Sequence, residues 1–131
     1  MEVILTGTGS PLPDANRAGP STLVKANDTH ILVDAGRGVV MRMAGAETLP
    51  LFLRAVLITH LHSDHICDLS DVITSHWIMS RGNAPLAIYG PPGIKEFVTR
   101  QIHAFEADIG YRIEHHDALT RGPNVNVVEL E

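Results

Sequence analysis

Ala55-Val56-Leu57-Ile58-Thr59-His60-Leu61-His62-Ser63-Asp64-His65 is the stretch that decides the reading of this chain. Its first four residues form a continuous apolar run, as expected of a strand covered on both faces. Strand side chains alternate, so continuing the strand through His60, His62 and Asp64 puts those three on one side. His65 joins them if the backbone turns there, and a helix starting near Ile66 supplies that turn. Two imidazoles from one tight stretch, then a carboxylate and a third imidazole, suit two neighbouring metals. His60 and His62 serve one, Asp64 and His65 the other. Imidazole nitrogen and carboxylate oxygen are zinc ligands at ~2.0–2.2 Å, and two ions ~3.5–4 Å apart can bridge a water and bring its pKa near neutrality. The competing reading is that Ser63 or Asp64 caps the following helix and that the histidines sit on a surface loop.

Outward from this segment, strands and helices mix throughout. Val3-Ile4-Leu5 reads as a short buried strand and residues 7–20, rich in Gly and Pro, as a loop. Ser21 to Ala26 and Ile31-Leu32-Val33 are β-rich runs joined by Asn27-Asp28, a hairpin signal. Val39 to Ala46 has helical spacing and ends near Gly45. Ile66 to Met79 reads as one helix, with Ile66, Leu69, Ile73 and Trp77 on its apolar stripe. Leu86 to Tyr89 is a strand halted by Gly90-Pro91-Pro92-Gly93, a stiff turn into a helix from Ile94 to about Ala107. Tyr111 to His115 and Val125 to Leu130 read as strands. The class is α/β or α+β, in a single domain over 1–131.

Composition narrows the function. A net charge of −5 without a run of Lys or Arg argues against tight non-specific nucleic-acid binding. One cysteine, Cys67, excludes an intrachain disulfide framework and fits a reducing compartment. With no signal peptide and nothing near ~18 consecutive apolar residues, the expectation is a cytoplasmic protein without a membrane span. Gly7-Thr8-Gly9 lacks the further Gly and the Lys of the nucleotide loops, and reads as a tight turn near the site rather than a phosphate cradle. Asp34, closing a strand before Gly36-Arg37-Gly38, either orients a metal-bound imidazole or satisfies turn amides. Cys67 reads as a small buried residue. His76 reads as favouring a helix C-terminus, with a substrate contact the lesser alternative. His115-His116 reads as strand-end structure, and His30 and His103 as surface residues.

Thr59-His60-Leu61-His62-Ser63-Asp64-His65 resembles the His-x-His-x-Asp-His motif of the metallo-β-lactamase superfamily. Leu5 to Pro11, Arg17 to Ser21, Val33 to Gly38 and Tyr89 to Gly93 resemble its ribonuclease Z and arylsulfatase-like branch, in the expected order along essentially the whole chain. The resemblance implies the N-terminal half of a layered αββα sandwich with the metal site at one edge of the sheets. It implies that His60 and His62 bind a first zinc, that Asp64 and His65 bind a second, and that Asp64 also handles protons of the attacking water. It favours the imidazole-orienting role for Asp34. Manganese or iron would suit the same donors.

The same resemblance implies three further ligands from a second half: a His for each metal and an Asp bridging both. This sequence stops before them, so homo-oligomerisation or the missing half is expected to complete the site and to cover an otherwise exposed apolar sheet face. The function implied is a metal-dependent hydrolase in which a metal-bound hydroxide attacks a phosphodiester or sulfate ester, with a small ester or RNA as substrate. The Arg17-Ala18-Gly19-Pro20-Ser21 run and the acidic charge lean towards the arylsulfatase-like side. The alternative is a catalytically incomplete half-domain that binds metal weakly and acts as an oligomer or interaction module.

Overall fold

The computed structural model describes all of residues 1–131. A six-stranded sheet runs in the order β1(Glu2–Gly7), β2(Ser21–Ala26), β3(Thr29–Val33), β4(Leu53–Leu57), β5(Leu86–Gly90), β6(Val125–Glu129). The first three strands are antiparallel and the last four are mutually parallel. Asn27, at φ 54°, makes the β2–β3 turn, where Asn tolerates the left-handed conformation that a two-residue hairpin requires. The parallel strands are linked by α1(Val39–Gly45), by α2(Ser63–Ile66) with α3(Leu69–Ser80), and by α4(Ile94–Ala104) with α5(Glu106–His115).

Period-two alternation divides the sheet into two unlike faces. Leu23, Leu32, Val56, Leu86 and Ile88 point into the helix layer and are fully buried, in one core cluster with Val39, Leu69, Val72, Ile94 and Val98. Their strand neighbours Val24, Val33, Leu57 and Tyr89 lie on the other face and are only half-buried, and Val3 and Leu5 continue that face at 59% and 68% exposure. The apolar run Ala55–Ile58 is thus covered on one face only. Its second apolar face has no partner within these residues, as anticipated for half of a sandwich.

Three expectations for the helical regions need correction. The helix expected over Ile66–Met79 is broken at Cys67-Asp68. Asp68 N donates to Ala35 O at 3.0 Å while its carboxylate accepts Gly38 N at 2.5 Å, so Asp68 is tied to the β3–α1 loop instead of continuing the turn. The helix from Ile94 stops at Ala104. The strand expected over Tyr111–His115 is the end of helix α5, with Asp108 paired to Arg112 at 2.9 Å one turn on and His115 Nδ1–H donating to Tyr111 O at 2.7 Å. No strand edge is available there, and these i,i+4 contacts win over β propensity.

Isolated side chains also differ from expectation. Cys67 is exposed, because the break at Cys67-Asp68 turns it out of the apolar stripe; partial desolvation and the neighbouring Asp68 push its thiol pKa up. His30 is half-buried, 2.6 Å from Thr48 Oγ1. His76 is 3% exposed rather than at a helix end, and burial lowers its pKa below the usual 6.5. A histidine kept neutral by the fold contributes no penalty above its unfolded pKa, and destabilises progressively as pH falls from that value towards the folded one. Between pH 7.5 and 5, wild type should therefore lose more stability than His76→Gln, as read from urea midpoints at each pH. Parallel losses would show that His76 carries no such linkage.

Candidate metal centre

The segment sits at the carboxyl ends of parallel β3 and β4, the edge where open α/β sheets present their loops. The β3 end is held first. Asp34, 7% exposed and at φ 62°, turns back so that its carboxylate faces the end of β4. There it accepts Thr59 N at 2.8 Å, the Thr59 hydroxyl at 2.9 Å and His65 Nδ1–H at 2.8 Å. Backbone bonds repeat the tie: Asp34 N donates to Leu57 O at 2.8 Å and Ala35 N to His65 O at 2.7 Å.

These bonds fix tautomers. A carboxylate only accepts, so His65 carries its proton on Nδ1 and leaves the Nε2 lone pair free. Thr59 has one hydroxyl proton, which goes to Asp34. Its oxygen, 2.9 Å from His60 Nδ1, therefore accepts from that ring, and His60 Nε2 is likewise a lone pair. His60 Nε2 therefore accepts from His62 Nδ1–H at 3.0 Å, a proton that an ion between the two rings would replace. Two nitrogens bound tetrahedrally to zinc at ~2.0–2.1 Å would stand about 3.3 Å apart, close to this spacing. His65 Nε2 lies 3.8 Å from Asp64 Oδ2, a looser pair. The His60 ring is 4.6 Å from that of His62 and 4.1 Å from that of His65, centroid to centroid.

All four expected donors are thus brought together, as two pairs. No group of three or more His, Cys, Asp or Glu side chains converges to enclose an ion. The donor chemistry fits a divalent metal, and each pair is short of the three protein ligands usual in open zinc sites. The capping alternative has no support: Ser63 and Asp64 lie inside α2, and its N-cap position, His62, makes no side-chain cap bond. His76, His103, His115 and His116 lie on α3, α4 and the end of α5, outside this cluster.

Glycines hold the loops together beneath the donors. Gly36 is packed so closely that a Cβ would stand 2.5 Å from Gly19 C, 2.6 Å from Pro20 N and 2.6 Å from Asp64 O, all backbone. A Cβ on Gly7 would run into Gly19 O, so the Gly7–Gly9 stretch is a packed turn beside the site. Sequence reasoning did not single out Thr59 or Asp68, although both abut named residues. Their roles depend on the distant Asp34, Ala35 and Gly38, which only the fold brings near.

A half-sandwich with a His-x-His-x-Asp-His segment at its sheet edge defines a class of metal-site protein. Residues 15–129 match the profile of the Metallo-beta-lactamase superfamily, and the chain belongs to that superfamily. Among its relatives, it is 55% identical over 131 residues to Ribonuclease Z of Mycobacterium sp. (strain KMS) and 52% identical to Ribonuclease Z of Mycobacterium bovis (strain BCG / Pasteur 1173P2). Those alignments cover 99% and 98% of this chain but 46% and 47% of the relatives; the chain spans about half the length of the curated relatives it matches. The short form of human tRNase Z has the same fold, with a TM-score of 0.76 at 24% identity over 98% of this chain and 44% of that one. No helix is long and apolar enough to cross a membrane.

Proposed function

We propose that residues 1–131 form the metal-binding half of a hydrolase that cleaves RNA phosphodiesters, with His60 and His62 holding one divalent ion and Asp64 and His65 a second. The observation that carries this is the orientation of the His60 and His65 rings. Asp34 holds His65 directly and His60 through Thr59, so that Nε2 is the lone-pair nitrogen of each neutral ring. Imidazole and carboxylate donors suit zinc, with manganese or iron compatible. Bound there, such ions would supply a water-derived nucleophile near neutral pH and stabilise charge on phosphoryl oxygens. The chain's own part is to orient the donors and, at Asp64, to offer a carboxylate free of capping bonds that can take a proton from the attacking water. The ribonuclease Z relatives favour RNA over the sulfate esters towards which the Arg17–Ser21 run and the acidic charge lean.

Two donors per ion and an uncovered apolar face mean that a second half, or a second copy, completes the site. Mixing this chain with the C-terminal half of the Mycobacterium sp. (strain KMS) relative should give zinc-dependent cleavage of a precursor transfer RNA, lost in His62→Ala. Cleavage of an aryl sulfate but not of RNA would overturn the choice of substrate. Equal RNA cleavage by wild type and His62→Ala would overturn the site. The apolar face favours a second reading, a catalytically incomplete interaction module: light scattering that shows a stable oligomer without hydrolysis in any mixture would support it.

The Thr59 link yields its own expectation. Thr59→Val keeps the β-branched shape but removes the acceptor that holds the His60 tautomer, so zinc affinity should fall roughly tenfold. Thr59→Ser should retain it. Equal affinities in calorimetric titrations of wild type and Thr59→Val would remove Thr59 from the account.

A further inference from the structure

Beside the metal centre, the fold brings Arg17 together with a pair of arginines at α1, Arg37 and Arg42. Arg17 from the 7–20 loop, Arg37 just before α1 and Arg42 within α1 line one open cavity of about 420 Å³. On α4 and α5, two arginines are each held by an acid one turn away: Arg100 meets Glu96 at 2.6 Å and Arg112 meets Asp108 at 2.9 Å. No acidic side chain lines this cavity. Arg17 stands 4.0 Å from Asp14, both well exposed, while Arg37 and Arg42 make no ion pair, in a chain with 15 acidic residues. Three guanidinium groups around one space that no acid lines repel one another slightly, so their gathering points to an anionic ligand.

The cavity's position relates it to the site. Arg37 follows Gly36, the residue packed against the Asp64 backbone, and Arg37 O accepts Gly19 N at 2.8 Å. Met41, 80% exposed, shares the cavity wall with Ala15 and Ala18. The space is open and larger than one phosphate, with three forked donors in its lining. That suits an extended polyanion with apolar surfaces of its own more than a small enclosed anion.

We propose that the Arg17–Arg37–Arg42 cavity binds consecutive backbone phosphates of an RNA strand alongside the metal centre. The choice of RNA as the polyanion rests on the hydrolase reading above; the anion site itself rests on the three guanidinium groups. Each guanidinium can engage phosphate oxygens with two parallel N–H donors. The acidic remainder of the surface confines the strand to this groove.

The test is fluorescence anisotropy of a labelled single-stranded RNA oligonucleotide at low salt, with EDTA present so that no metal takes part. The double variant Arg37→Ala/Arg42→Ala should bind at least about tenfold more weakly, and its plot of log K against log salt should be shallower by roughly one to two units, the loss of two phosphate contacts. Arg37→Lys/Arg42→Lys should keep most of the slope, and the paired arginines in Arg100→Ala/Arg112→Ala should matter little. Absence of RNA binding by wild type, unchanged binding by the first variant, or equal weakening in the Arg100/Arg112 control would each overturn the proposal. His62→Ala, assayed in EDTA, should bind RNA like wild type. Arginine-dependent binding without any cleavage would therefore leave this groove standing while the hydrolase reading fell.

Discussion

Asp34→Asn is expected to lower zinc affinity by about 10- to 100-fold while the chain stays folded. Asn is the substitution of choice because Asp34 sits at φ 62°, a left-handed conformation that Asn tolerates and Ala does not. The retained carboxamide oxygen can still accept Thr59 N, the 2.8 Å bond that closes the two strand ends. The new NH₂ group replaces the oxygen that accepts His65 Nδ1–H at 2.8 Å. A donor facing a donor forces the His65 ring to move its proton to Nε2, the atom that faces Asp64 and would hold the ion. The Thr59 hydroxyl loses one of its two acceptor oxygens as well, which loosens the tautomer of His60. Calorimetric zinc titration with a parallel thermal melt separates the effects. Unchanged affinity would mean that Asp34 serves only the turn.

Gly36→Ala should destabilise by about 3 kcal/mol or more, at the upper end of overpacking costs, a fall in Tm of roughly 10 °C for a domain of this size. The three atoms that a Cβ would meet within 2.6 Å are all backbone, in the Gly19-Pro20 turn and at Asp64. None can swing aside as a side-chain tip would, so the β3–α1 loop, the 7–20 loop or the start of α2 must shift. Zinc affinity should fall with stability, because Asp64 belongs to the displaced segment. Gly110→Ala is the matched control. That glycine lies within α5 with nothing within 4 Å of its Cβ position, and alanine there should stabilise by about 0.5–1 kcal/mol. Melting both variants decides the matter, since equal and small shifts would refute the packing argument.

The site was legible in sequence to the extent that its chemistry is local. His60, His62, Asp64 and His65 fall within six residues after an apolar strand, but strand alternation does not place them: β4 ends at Leu57, and Asp64 and His65 lie on α2, which starts at Ser63 and not near Ile66. Asp34 was visible as a choice between two roles, and the His65–Asp34 bond supports the imidazole-orienting one. Thr59, Asp68 and the arginine groove were not legible, because each depends on partners brought together from distant positions. The absence of a basic run argued against nucleic-acid binding, yet Arg17 meets the Arg37–Arg42 pair only in the fold. Most strands were readable from apolar runs and turn residues. Helix α5 was not, since Tyr111-Arg112-Ile113 has β propensity and its helical support lies in contacts such as Asp108–Arg112. The break after Ile66 was hidden because the 3.6-residue stripe continues across it. The cause of that break, Asp68 bonding Ala35 and Gly38, is tertiary.

The central claim is that the His60–His65 segment is a divalent-metal site. Zinc titration of the chain by calorimetry near neutral pH, for wild type, His62→Ala and an exposed-histidine control His115→Ala/His116→Ala, tests it most directly. The account predicts weak uptake of up to about two ions per chain, strongly reduced in His62→Ala and unchanged in the control. The same zinc uptake by wild type and His62→Ala would contradict it.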